Sequence, residues 1–190
     1  MPTSTPTRAR ALQVYAEHFA AHGYRGTSLD AVAREVGVRK PSLYHHFPGG
    51  KETLHAEVAL AAIESRGADL ARALEVEGGL AAQLRAVITE AVADPTGATT
   101  SFEQHLFDSL PELDPGARER IEQAYARRLL EPMTERLARA VREGELAGRE
   151  PRVLCNAFLH LARAVDMMGE PGPAAEELVG LFLDGARAGA

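Results

Sequence analysis

A chain of 190 residues, 45% hydrophobic and 25% charged, is long enough to bury a core and too apolar for wholesale disorder. Its single cysteine, Cys155, excludes an intramolecular disulfide, and its net charge of −6 excludes a surface that is basic throughout. No apolar run approaches the roughly 20 residues of a bilayer span, and without a leader-like N-terminal segment the expected setting is the cytoplasm.

Strand signals are nearly absent, and Ala, Leu, Glu and Arg dominate, so the expected fold is all-α. Met1 to Pro6 reads as a Thr/Pro-rich tail. Residues 8–22 form the first expected helix, with Ala9, Leu12, Ala16, Phe19 and Ala20 as its apolar stripe. His22-Gly23 ends it. Thr27 or Ser28 caps the next helix, with Asp30 closing a capping box, and Val32, Ala33 and Val36 recur at helical spacing. Gly37 stops that helix, since glycine takes the left-handed conformation without strain. A further helix starts near Arg39 with Pro41 in its first turn, and Leu43 and Phe47 share its buried face. Arg39, Lys40, Ser42, Tyr44, His45 and His46 are left pointing outward. A short capped helix, a glycine turn and a second helix with a polar, basic, aromatic outer face make a helix-turn-helix reader.

Pro48-Gly49-Gly50 is a turn, and Lys51 opens a helix reaching about Leu74, with Leu54 and Val58 on one face and Gly67 a weak point. Leu80 to Val92 is amphipathic. Asp94 to Thr100 reads as a loop, after which Ser101 caps a short helix carrying Phe102, Leu106, Phe107 and Leu110. Residues 117–143 form a long helix that Pro132 must kink or divide. Residues 152–168 are apolar most of the way round, the mark of a helix buried on more than one side. Pro171-Gly172-Pro173 turns the chain into a last helix, Ala174 to Ala188. These two C-terminal helices suit either a symmetric dimer interface or the core hairpin of a monomer.

The charge is uneven. Residues 1–55 carry seven Arg or Lys and four acids, while 56–190 carry 14 basic and 23 acidic residues. A basic quarter on an acidic body fits a chain in which only that quarter meets phosphate.

The run His22-Gly23-Tyr24, Thr27-Ser28, Val32-Ala33, Gly37-Val38, Leu43-Tyr44-His45-His46-Phe47 and Lys51-Glu52 resembles the DNA-binding domain of TetR-type (TetR/AcrR) transcriptional regulators, over roughly residues 8–60. The resemblance implies an N-terminal three-helix helix-turn-helix module, residues 8–55, and a C-terminal helical ligand-binding and dimerisation bundle, residues 56–190, with about nine or ten helices in all. It implies DNA contacts from Tyr44, His45 and Lys51, a phosphate contact from Thr27, and base-edge or backbone contacts from Arg39, Lys40 and Ser42. Because Arg to guanine is the commonest base pairing, Arg39 is the candidate for specificity. Two features depart from the family pattern: Arg39 stands where many relatives carry Ser, and Gly49-Gly50 makes the turn one residue longer than usual.

The same resemblance implies a homodimeric repressor on a palindromic operator, released by a small effector, with no cofactor and no membrane partner. His105, Asn156 and His160 are candidates for the effector site, Asn156 and His160 because a polar group on the most apolar helix must find a partner or a ligand. Phe102, Phe107, Phe158, Asp166, Met167 and Met168 are further candidates for its lining. No metal-ligand spacing and no nucleophile–base arrangement stands out, so an enzyme is not expected. A helical ligand-binding or signalling protein without DNA binding is the alternative.

Overall fold

The structure is a computed structural model and describes residues 6–92, 98–165 and 171–186. Those residues hold ten α-helices and no strand: α1 Pro6–Gly26, α2 Leu29–Val36, α3 Lys40–His46, α4 Lys51–Leu74, α5 Gly79–Val92, α6 Ala98–Ser109, α7 Pro115–Tyr125, α8 Glu131–Arg142, α9 Pro151–Ala164 and α10 Pro171–Ala186. The chain forms two compact units, one from Met1–Ala62 with Ala98–Ala124, the other from Ile63–Gly97 with Tyr125–Ala190. The first unit is larger than the expected 8–55 module, because α6 comes back in sequence to pack along α1.

In the first unit α1 packs against α2, α3 and α6. Its buried face is Ala11, Val14, Tyr15 and Phe19, whereas the expected stripe included Ala9, which is exposed. The real stripe therefore lies to one side of the expected one, drawn there by the larger Val14 and Tyr15. Regular helix ends at Gly23, where φ is +65° and ψ −176°, a conformation closed to a side chain with a Cβ. Ser28 caps α2, its hydroxyl accepting from the Asp30 N–H at 3.2 Å. Gly37 is left-handed at φ +79°, and the Val38 N–H reaches back to Ala33 O at 2.9 Å, closing the helix end.

His55 is fully buried in this unit. Ser109 Oγ donates to Leu106 O at 2.6 Å, so it accepts from the His55 Nε2–H at 3.0 Å. Phe19 and Tyr24 stand edge-on to the ring, with centroids 4.7 and 4.8 Å away. Nδ1 has no partner among the described residues, so a second proton would lodge there unsatisfied. Burial, reinforced by the Lys51 charge, pushes the His55 pKa down from 6.5 to about 4.

In the second unit α8 packs on α9 and α10 on α5 and α9, around Leu84, Ile88, Met133, Leu137, Phe158 and Phe182. The expected long helix is indeed interrupted ahead of Pro132. Residues Ala126–Leu130 form a wider π turn in which the Glu131 N–H reaches Ala126 O, five residues back. The turn absorbs the proline ring, which has no N–H to give to Arg128 O. Gly67 is no weak point. A Cβ there would lie 3.0 Å from Arg128 Cβ and 3.2 Å from Arg128 O, so the glycine lets α4 approach the π turn.

Three other expectations change. The helix after the 94–97 region opens at Ala98, so Ser101 lies inside it rather than capping it. Pro171-Gly172-Pro173 forms the first turn of α10 instead of a separate turn, because the first N–H groups of a helix have no intrahelical partner to lose. Helix α9 is buried on one face only: Leu154, Cys155 and Phe158 are inside, while Val153, Asn156, Ala157 and His160 are exposed.

Two expected outcomes follow from this packing. Gly67→Ala lowers stability by about 1 kcal/mol or more in urea unfolding, although alanine alone favours helix by about that amount. His55 takes up a proton more readily unfolded than folded, so its contribution is complete above about pH 6.5 and lost as pH falls toward 4. Urea midpoints at pH 7 and pH 4.5 check this: His55→Phe removes a part of the acid sensitivity worth roughly 2–3 kcal/mol.

Candidate nucleic-acid interface

Helix α3 is seven residues long, too short to persist by itself. It is held by Leu43 and by Phe47 just past its end, both essentially fully buried. Arg39 occupies the N-cap position with extended backbone (φ −83°, ψ 146°) and makes no side-chain cap. Its guanidinium is therefore not spent on the helix start, the usual role of a Ser at that position. Arg39, Lys40, Tyr44 and His45 are exposed, with Tyr44 at 45%; Ser42 and His46 are half-buried.

Two of the candidate contacts carry partners that the sequence did not reveal. Lys40 Nζ pairs with Asp30 Oδ2 at 2.8 Å, bridging α3 and α2, and this hydrogen bond raises the Lys40 pKa. Lys51, at the start of α4, lies over the Tyr24 ring with Nζ 4.2 Å from the centroid. Partial burial lowers the Lys51 pKa. Both pairings join residues that lie ten or more positions apart in sequence, across separate elements, where helical periodicity carries no signal.

Thr27 differs from the other candidates. It is 2% exposed, and its hydroxyl donates to Gly23 O at 2.8 Å while its N–H also turns back to Gly23 O at 3.2 Å. Neither group is directed at a ligand; the exposed polar residues at the start of α2 are Ser28 and Asp30. Thr27 thus fastens the α1–α2 connection. Arg8 is likewise engaged, ion-paired with Glu57 and stacked over the Phe47 ring 5.1 Å from its centroid.

The long turn has a use. Gly50 takes φ +65°, and a Cβ there would come within 2.8 Å of Tyr44 Cε1. The Tyr44 ring therefore rests against the turn in the space a side chain would fill. Sequence alone flags the insertion without its purpose, since only the fold brings Tyr44 and Gly50 together.

The three effector candidates are divided between the two units. His105 belongs to the first unit, half-buried, with Nδ1 donating to Phe19 O at 3.1 Å. Asn156 and His160 sit on the exposed face of α9. Phe158 is core, Phe107 is 37% exposed, and the Phe102 side chain and residues 166–168 lie outside the described residues. Among the described residues no three His, Cys, Asp or Glu side chains converge to hold a metal ion, and no helix is long and apolar enough to cross a membrane.

The interface lies in a stretch with known relatives. Residues 12–58 match the family described as bacterial regulatory proteins, tetR family. Over 51 residues the chain is 45% identical to the HTH-type transcriptional regulator LmrA of Bacillus subtilis, a match spanning 27% of each chain. A match to YxaF of the same organism, at 39%, spans 30% of each, so the chain covers less than a third of these relatives' lengths. The HTH-type regulator YezE, also from Bacillus subtilis, is 28% identical over 146 residues, 74% of this chain and 71% of that one. Among solved structures, the TetR family transcriptional regulator PfmR of Thermus thermophilus superposes with a TM-score of 0.74 at 25% identity, covering 92% of this chain and 97% of that one. A tetR family regulatory protein from Rhodococcus RHA1 shares the fold at TM-score 0.79 over 98% and 100% of the two chains, with 20% identity. The N-terminal module thus matches the tetR family of bacterial regulatory proteins over residues 12–58, and the fold along nearly the whole chain is shared with solved structures of that family.

Proposed function

We propose that the protein is a sequence-specific transcriptional regulator of the bacterial cytoplasm that binds a palindromic operator as a homodimer and represses until a small effector releases it. The observation that carries the DNA-binding part is the division of α3. Leu43 and Phe47 do the packing, and Arg39, Tyr44 and His45 are left exposed with no structural duty but the seating of Tyr44 on Gly50. Arg39 offers a planar pair of donors suited to the guanine edge. Lys40 and Lys51 supply charge to phosphate once they leave Asp30 and Tyr24, and Ser42 a short donor beside them. Thr27 contributes by holding the first helix to the second. The domain division at about residue 55 is kept as a functional one: the reader ends near the start of α4.

Dimerisation is supported by α9 and α10. Val153 is 61% and Leu181 63% exposed, and Ala157, one turn after Val153 on α9, is exposed too. Large apolar side chains left in water on two neighbouring helices of a unit with a complete core suit burial against a second copy. The family is one of regulators, and no enzymatic role is assigned.

Selection of bound duplexes from a random pool tests the reading. The expected result is a palindromic consensus. Arg39→Ala relaxes the preference at one position in each half-site, at a cost of about 1–3 kcal/mol there. Recovery of no consensus by the intact protein removes the reader. The dimer is tested separately by light scattering: Val153→Asp with Leu181→Asp gives a folded monomer with at least tenfold weaker palindrome binding. A double variant that remains dimeric places the interface elsewhere.

A further inference from the structure

A cavity of about 380 Å³ opens within the first unit, beside the α1–α2 connection and against α6. None of the candidate effector residues on α9 takes part in it. Its wall contains one ring with a fixed orientation. Because His105 Nδ1 donates to Phe19 O at 3.1 Å, Nε2 of the neutral ring is left as a lone-pair acceptor. Gly23 makes the room for that ring: a Cβ there would lie 3.3 Å from His105 Cδ2 and 3.6 Å from Nε2.

The remaining polar groups of the wall lean the same way. Asp108 is exposed and has no hydrogen-bond or ion-pair partner among the described residues. Glu112 adds a second carboxylate, and the one permanently cationic lining residue, Arg25, is held to it with Nε 3.0 Å from Oε1. Ser109 is spent on His55 and Leu106 O. Among the lining residues two carboxylates thus stand against one guanidinium, with Lys51 nearby over the Tyr24 ring. A metal ion is not the match, because no three ligating side chains converge among the described residues. The volume is that of a small organic molecule, at the lower end of ligand pockets.

We infer that this cavity binds a small organic cation, a primary amine or guanidinium, with Asp108 and Nε2 of His105 as its acceptors. The charged donor meets a free carboxylate, and a second N–H meets the imidazole lone pair. The bound group lies against Gly23, whose carbonyl holds Thr27 and thereby the start of α2. The site stands independently of the operator reading, since the binding needs no DNA.

Agmatine, which carries an amine and a guanidinium, is the probe. Titrated into the full-length ¹⁵N-labelled chain at pH 7.5, it is expected to give saturable shifts at the amides of Gly23, Tyr24 and Asp108. Asp108→Asn is expected to weaken it by about tenfold or more while leaving the thermal midpoint in place. Glu112→Gln serves as a second variant and is also expected to weaken binding. Acetate, of opposite charge, is expected to leave the same amides unmoved. The assignment is overturned by any of four results: no saturable shift at millimolar agmatine, shifts that cluster elsewhere, unchanged affinity in both variants, or acetate saturating the same amides.

Discussion

The burial of Leu43 and Phe47 is the constraint on which the reader depends. A seven-residue helix cannot hold itself together by its own hydrogen bonds. Each of these side chains, taken fully out of water, contributes about 2 kcal/mol, enough between them to fix both the existence and the rotation of α3. Rotation matters most. With the apolar pair inside, Arg39, Tyr44 and His45 have nowhere to go but outward. Gly37 completes the constraint by letting the chain double back within two residues, since any side chain at φ +79° would be strained.

Electrostatics add a second layer to this packing. Lys40 and Lys51 are each occupied in the free protein, one by a carboxylate and the other by an aromatic face. The Lys40 pair is exposed and screened by solvent, whereas the Lys51 contact is partly buried, so the two are not equally easy to displace. Their effect is to keep two flexible cations ordered and close to the surface.

What the sequence disclosed and what it hid follow from the range of each interaction. Helix α2, the Gly37 stop and the start of α4 at Lys51 were legible because caps, glycines and periodicity are local. The same local logic misread Pro171-Gly172-Pro173, because a proline at a helix start and one in a turn look alike without knowing where the hydrogen bonds begin. It misread α9 for a different reason. An apolar helix surface says that something covers it, but not whether the cover is the same chain. Thr27 and Ser28 shared one signature and divided the work by burial, which depends on Gly23 and α1. Gly67 looked like a defect because its use, close approach to the π turn ahead of Pro132, lies about sixty residues away.

Gly23 shows how far such long-range demands can concentrate on one residue. Its positive φ ends the regular part of α1, its carbonyl receives both the hydroxyl and the N–H of Thr27, and its missing side chain admits the His105 ring. Any larger residue breaks the first and third of these together and strains the second. The approach to the reader and the inner wall of the α1–α6 cavity are consequently one piece of backbone. A group pressing on that wall acts one hydrogen bond away from Thr27, which lies two residues ahead of the start of α2. That proximity is short enough to be carried by hydrogen bonds and packing alone, without a relay through the rest of the molecule. A cation seated there would bias the aim of α2 to the extent that it prefers one position of the Gly23–Thr27 link over another, and no further.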